Sequence, residues 1–123
     1  MEKDNYIFDT YALMEIIEGN PKYTPYTNMG IIINNFIFAE FCYVLYREEY
    51  PDSDFYTDKY KKYIVSISPE TIKKAMKFRK ENKKKNLSII DCIGYFMSKD
   101  LGIKFLTGDK EFENLENVEF VKK

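Results

Sequence analysis

Short apolar segments of strand character alternate with helical segments along the chain, and this alternation constrains the fold more than any other feature. The strand candidates are residues 5–8, 30–33, 64–67, 103–106 and 118–121. The predicted helices cover residues 10–18, 36–49, 69–85 and 89–100, with a further one that begins at residues 52–54 and ends at 62. Strands separated by helices are typical of parallel sheets, whose connections must cross over the sheet. The sequence therefore predicts an α/β fold with a mostly parallel, five-stranded sheet.

The size and the cysteine content add expectations about organisation and location. A length of 123 residues suits one domain covering 1–123, because a second domain would fall below the usual size. No apolar run approaches the roughly 18 residues that a membrane span requires, and the first residues lack a signal-peptide pattern. Cys42 and Cys92 then favour free thiols in a reducing compartment. We expect a cytoplasmic protein without a membrane partner.

The chain contains no histidine, which excludes several kinds of catalytic site. A Ser-His-Asp triad, a Cys-His pair and a zinc site with imidazole ligands all require a residue that is absent. Two cysteines are also too few for a thiolate zinc site. Any catalysis must therefore use carboxylates, Lys, Tyr, Ser or Thr, or a metal ion held by oxygen atoms.

Two acidic residues follow predicted strands. Asp9 comes directly after the first strand, and Asp109 lies shortly after the fourth. In open parallel sheets, ligands bind outside the carboxyl ends of the strands, where both residues are expected. Each also has a purely structural explanation, since Asp is a common helix N-cap and a common turn residue.

Two further acids interrupt apolar helices. Glu40 lies within FIFAEFCYVL and Asp91 within SIIDCIGYF. A buried carboxylate without a partner is costly, so Glu40 must reach solvent at one edge of the helix, pair with a lysine or bind a cation. Asp91 also matches the S-x-x-D capping pattern that begins at Ser88, which explains it without any chemistry.

Taken together, the four acids favour a metal site over four separate structural roles. Carboxylates that converge at one sheet edge repel one another unless a cation neutralises them. Oxygen ligands select Mg²⁺ or Mn²⁺. Such ions promote phosphodiester hydrolysis by activating water and offsetting charge on the phosphate. This chemistry needs no histidine.

These segments resemble the PIN-domain family, and within it the small ribonuclease toxins of the VapC type. The resemblance is carried by YIFDTYAL, by FIFAEFCYVL, by LSIIDCIGYFMSKDLGIKFLTGDKEFENL and by the closing VEFV, and it spans nearly the whole chain. It implies a Rossmann-like three-layer α/β/α sandwich and a pocket that binds Mg²⁺ or Mn²⁺. By position, the metal-coordinating catalytic acids would be Asp9, Glu40, Asp91 and Asp109.

The same resemblance implies supporting residues and partners. Thr10 and Thr107 match small hydroxyl positions, and Glu111 matches a position where a second acid is sometimes found. Gly108 departs from the family pattern, where a polar residue is frequent. The resemblance implies an endoribonuclease toxin that acts on RNA, forms a homodimer and has a cognate antitoxin. A PIN-type nuclease of RNA processing or decay, and a catalytically silent RNA- or protein-binding module, remain as alternatives.

Positive charge is concentrated in one segment. Residues 59–85 carry 11 Lys and Arg against two Glu, so this segment has a net charge of +9 and the rest of the chain −10. The plain interpretation is a solvated helix face. The functional interpretation is a surface that follows RNA phosphates next to the acidic site. Lys73, Lys77, Lys80 and Lys84 are the candidate RNA-binding residues.

Overall fold

The structure is a computed structural model and describes residues 4–122; residues 1–3, part of the segment examined for a leader pattern, and residue 123 lie outside this range. The strands are β1 (Asn5–Phe8), β2 (Gly30–Ile32), β3 (Lys104–Thr107) and β4 (Val118–Phe120). The α-helices are α1 (Thr10–Ile17), α2 (Asn35–Arg47), α3 (Ser53–Tyr60), α4 (Pro69–Glu81) and α5 (Ile89–Leu101). Short 3₁₀ helices cover Thr24–Asn28, Lys61–Tyr63 and Lys110–Phe112.

The strands form a parallel sheet in the order β2-β1-β3-β4. In the centre Ile7 is in register with Phe105, and Phe105 is in register with Val118. Helices α1 and α5 pack on the central strands β1 and β3, and α4 packs on α5. The predicted α/β fold with a parallel sheet is confirmed as a three-layer α/β/α sandwich. Because β1 and β3 are adjacent and parallel, their carboxyl ends meet at one edge.

The expected fifth strand at residues 64–67 is wrong. Within the described residues the sheet has four strands, and Ile64 contributes one isolated parallel bridge to Ile33. Two backbone hydrogen bonds hold this bridge, from Ile33 N to the Tyr63 carbonyl and from Val65 N to the Ile33 carbonyl. The pairing ends there because Ser68 caps α4 and Pro69 begins it. The segment is too short and too exposed to continue as a strand.

Helix α4 ends at Glu81, four residues before the predicted end at 85. The side chain and the backbone N–H of Asn82 both donate to the Phe78 carbonyl, at 2.9 and 3.0 Å, so Asn82 closes the last turn of the helix. A further turn of helix would place Lys83 and Lys84 four residues from Arg79 and Lys80, where like charges repel. Residues 83–85 therefore form a turn between α4 and α5.

The core joins the central strands to α5 by close packing. Ile7, Phe8, Phe105 and Leu106 are fully buried. Gly94 on α5 lies so close to the sheet that a Cβ atom there would be 2.9 Å from the Phe105 ring. This contact fixes the height of α5 above β3, and with it the position of the first turn of the helix. No helix among residues 4–122 is long and apolar enough to cross a bilayer.

Candidate active site

Asp9 is held at the carboxyl end of β1 by three hydrogen bonds. Its backbone N–H donates to the Leu106 carbonyl of β3 at 3.1 Å. Its Oδ1 accepts from the backbone N–H of Ala12 at 2.6 Å, which makes Asp9 the N-cap of α1. Its Oδ2 accepts from the Thr107 hydroxyl at 2.5 Å. Asp9 is therefore both a helix cap, as its structural explanation required, and a buried carboxylate fixed at the sheet edge.

Asp109 lies in the turn after β3 and is fixed in the same way. Its backbone N–H donates to Thr107 Oγ1 at 3.1 Å, and its Oδ1 accepts from the Glu111 N–H at 3.0 Å. The Thr107 hydroxyl thus links the two acids, because it donates to Asp9 and accepts from Asp109. Asp109 also caps the short helix Lys110–Phe112.

The two helical acids complete the set. Asp91 lies in the first turn of α5, where Ser88 is the N-cap and accepts from the Asp91 N–H at 3.0 Å. Glu40 lies in the middle of α2 and is partly exposed. Asp9, Glu40, Asp91 and Asp109 line one open pocket of about 310 Å³ together with Tyr11 and Gly108. The structure therefore brings all four predicted acids together.

The charges in this pocket act on one another. Burial raises the pKa of Asp9 well above its usual range, and the charges of Asp91 and Asp109 raise it further. Burial, followed by the charges of Glu40 and Asp109, raises the pKa of Asp91 to about 7. Hydrogen bonds from Thr107 to Asp9 and from Ser88 to Asp91 oppose these shifts without cancelling them. The pocket is an anionic site that favours either protons or a cation.

The donor set fits Mg²⁺ or Mn²⁺ by its chemistry, since four carboxylates supply hard oxygen ligands. In the part of the chain that the structure describes, no three Asp, Glu, Cys or His side chains are grouped closely enough to hold one ion. The four carboxylates therefore line the pocket without meeting at a single point. The Thr10 hydroxyl is a second sign of fit, because it is buried next to Asp9 in the chain and has no hydrogen-bond partner among residues 4–122.

The other predicted residues do not line this pocket. Glu111 contributes its backbone N–H to Asp109, but its side chain does not line the pocket. Lys73, Lys77, Lys80 and Lys84 are exposed on α4 and the following turn, and none of them lines the acidic pocket. Lys73 is paired with Glu70 at 3.7 Å. Of these four lysines, Lys80 alone lines a second pocket, which lies at the end of α4.

Sequence reasoning did not single out Tyr11, although it forms a wall of the acidic pocket. Its hydroxyl donates to Glu15 at 2.7 Å, and its ring packs edge-to-face on Tyr23 with centroids 5.9 Å apart. A Cβ atom at Gly108 would lie 2.5 Å from the Tyr11 ring. The glycine that departs from the family pattern therefore makes room for this tyrosine. No signal in the sequence links positions 11 and 108, because their contact depends on how α1 approaches the turn after β3.

The cap of α5 allows a test of how Asp91 is positioned. Ser88→Ala is expected to lower the free energy of unfolding by about 1 kcal/mol and to weaken Mn²⁺ binding, since the Ser88 hydroxyl also bonds the Asp91 carboxylate. Ser68→Ala is the matched control, because Ser68 caps α4 and accepts from the Thr71 N–H at 3.2 Å. Urea unfolding and Mn²⁺ titration calorimetry measure the two effects. Equal Mn²⁺ affinity in both variants contradicts the positioning role.

Comparisons with known proteins agree with the architecture. The chain matches the family model of the PIN domain over residues 6–118. It is similar to a toxin–antitoxin complex structure from Klebsiella pneumoniae, with 17% identity, a TM-score of 0.77, and coverage of 96% of this chain and 98% of that one. It is also similar to VapC20 from Mycobacterium tuberculosis, described as a sarcin-ricin loop cleaving toxin, with 13% identity, a TM-score of 0.75, and coverage of 94% and 98%.

A third similar structure is VapBC2 from Rickettsia felis bound to a promoter DNA fragment, with 16% identity and a TM-score of 0.70. That similarity covers 94% of this chain and 96% of the other. No curated protein sequence matches the chain. At these identities the structural similarities establish the fold, and the family model covers most of the sequence. The chain belongs to the PIN domain family.

Proposed function

We propose that this chain is a Mg²⁺- or Mn²⁺-dependent endoribonuclease and the toxin of a toxin–antitoxin pair. The observation that carries the proposal is the convergence of Asp9, Glu40, Asp91 and Asp109 on one pocket at the carboxyl edge of a parallel sheet. Membership of the PIN family supports a nuclease. The toxin role is supported by the similar structures, which include a toxin–antitoxin complex and a toxin that cleaves the sarcin-ricin loop.

Asp9, Asp91 and Asp109 are the residues that would hold the cation. Glu40 would either be a further ligand or lie just outside the ligands and orient water. When bound, such an ion lowers the pKa of water and offsets the charge that develops on the phosphate. The buried hydrogen bonds of Thr107 and Ala12 keep the Asp9 carboxylate in a fixed orientation before any ligand arrives. The protein therefore does not have to order this carboxylate when the site is filled.

The remaining groups have roles toward water and substrate. The Glu40 carboxylate faces the pocket from α2 and can accept a hydrogen bond, and then a proton, from the attacking water. The unpartnered Thr10 hydroxyl can donate to a carboxylate or to an ordered water. The open pocket admits an extended strand, whose phosphates the carboxylates would repel without a cation. Metal and RNA are thus expected to bind cooperatively.

The proposal extends to organisation and partners. A single domain over 1–123, a homodimer, a cognate antitoxin and a cytoplasmic location are the expectations that accompany this function. Exposed Tyr43, Tyr46 and Phe55 offer apolar surface for protein contacts.

The direct test is RNA cleavage by the purified protein with Mg²⁺, with Mn²⁺ and with excess chelator. Cleavage within the strand is expected with either ion, and loss of cleavage is expected with chelator. Cleavage that persists in chelator contradicts the metal-dependent mechanism. Binding of RNA without cleavage under all three conditions favours the catalytically silent module.

The toxin role has a separate test in cells. Expression of the wild-type chain is expected to arrest growth, and co-expression of a small protein encoded beside it is expected to restore growth. RNA cleavage in vitro without growth arrest instead favours the processing or decay nuclease. The two outcomes separate the biological role from the chemistry.

A further inference from the structure

A second pocket lies where α4 ends and the turn toward α5 begins. It has a volume of about 330 Å³, and its lining includes four cationic side chains. The four cations are Arg79, Lys80, Lys83 and Lys85. Together with Met76, Asn86 and Leu87 they line a pocket that we call the basic pocket. Two of the four cations come from the last turn of α4, and the other two belong to the lysine run that follows. The early end of α4 at Glu81 bends this run back and creates the concavity.

The four cations are not neutralised by the chain. Within residues 4–122 none of them forms an ion pair with a carboxylate, whereas Lys73 and Lys74 on the same helix pair with Glu70 and Asp100. Arg79 Nε donates to the Leu87 carbonyl at 2.9 Å, which holds the guanidinium group in place. A fixed guanidinium group among unpaired lysines favours an anion with several oxygen atoms.

The basic pocket adjoins the acidic pocket through the start of α5. Leu87, which accepts the Arg79 hydrogen bond, directly precedes Ser88, the N-cap of the helix that carries Asp91. Leu87 of the basic pocket and Asp91 of the acidic pocket are therefore separated by only three residues, 88–90, at the start of one helix.

We propose that the basic pocket binds a phosphate group of the RNA strand whose scissile phosphodiester lies in the acidic pocket. This proposal rests on the proposed ribonuclease function. An acidic peptide could satisfy four cations, but a continuous RNA strand leaving the acidic pocket presents a phosphate at every nucleotide. RNA therefore places an anion at the neighbouring pocket without a second binding event. Of the four lysines that the sequence analysis selected as RNA-binding candidates, the basic pocket contains Lys80.

The test compares lysines inside and outside the pocket on the same turn. Lys83→Gln with Lys85→Gln removes two pocket cations, whereas Lys84→Gln removes an exposed lysine that does not line it. Binding of a fluorescein-labelled, ten-nucleotide single-stranded RNA is measured in chelator over a range of NaCl concentrations. The double variant is expected to bind about 10-fold more weakly, with the slope of log affinity against log salt reduced by about 1.4. Lys84→Gln is expected to change affinity by less than about 2-fold.

Two outcomes overturn the proposal. If Lys84→Gln reduces affinity and salt slope by half as much as the double variant, each lysine contributes equally and no pocket is involved. If a ten-residue poly-aspartate peptide displaces the RNA from the wild type more effectively than unlabelled RNA does, the pocket is built for an acidic protein segment. Thermal melting of each variant checks that these exposed substitutions leave the fold intact.

The outcome is separable from that of the proposed function. RNA binding with the expected variant pattern, but no cleavage with Mg²⁺ or Mn²⁺, supports the basic pocket and removes the nuclease. Metal-dependent cleavage with equal RNA affinities in all variants supports the nuclease and contradicts the basic pocket. If both proposals hold, the double variant raises the KM for RNA more than it lowers kcat.

Discussion

Replacing Asp9 with asparagine is expected to lower metal-dependent RNA cleavage by at least about 100-fold and, in the absence of metal, to raise the melting temperature by about 5 °C. The activity falls because the pocket loses its most deeply fixed carboxylate, which Thr107 and Ala12 hold in place. The stability rises because burial and the charges of Asp91 and Asp109 oppose ionisation of Asp9. Asparagine has the same shape and keeps the N-cap of α1 through its amide oxygen, while the Thr107 hydroxyl loses the carboxylate oxygen to which it donates.

Opposite signs in the two measurements make this result specific. A general loss of folding would lower both activity and melting temperature. Asp58→Asn is the control, because Asp58 is exposed and pairs only with Lys61 at 3.4 Å in the described structure. It is expected to leave both quantities unchanged. Cleavage by the Asp9→Asn protein at the wild-type rate, under the same metal concentration, places the reaction elsewhere.

The sequence was sufficient to predict the sheet edge and its acids. Asp9 and Asp109 were found because their strands are short, apolar and separated by helices, which forces parallel pairing and a shared carboxyl edge. Asp91 alone is explained by the Ser88 cap, and it was singled out because a single acid interrupts each of the two apolar helices while two further acids follow strands. These inferences depend on local pattern and on a general property of parallel sheets.

Features that depend on distant packing could not be predicted in the same way. Residues 64–67 have the apolar character of a strand, but their pairing is limited to the Ile33 bridge by the cap and proline that follow. The place of Tyr11 beside Gly108 depends on how α1 approaches the turn after β3. The separation of Lys83 and Lys85 from Lys84 depends on a helix end four residues earlier than expected.

The pH dependence of the metal-free protein follows from the same crowding of carboxylates. The pKa of Asp91 is raised to about 7 in the folded state, and that of Asp9 is raised as well. The folded protein therefore holds more protons than the unfolded chain between about pH 4 and 7. This proton uptake stabilises the fold at low pH, and the stabilisation is lost as the pH rises through the folded-state values. The free energy of unfolding is expected to fall by about 2 kcal/mol between about pH 5.5 and pH 8.

Added Mn²⁺ is expected to reverse this loss, and more strongly at the higher pH. Carboxylates must be deprotonated to bind an ion, so the ion competes with protons at low pH and has no competitor at high pH. At about 100 times its dissociation constant the ion adds about 2.7 kcal/mol to stability. Urea unfolding at both pH values, with MnCl₂ or with NaCl of equal ionic strength, measures the effect. Asp91→Asn is expected to flatten both the pH dependence and the Mn²⁺ response. If this variant keeps the wild-type slope, or NaCl stabilises as much as MnCl₂, then the four carboxylates neither share protons nor share an ion.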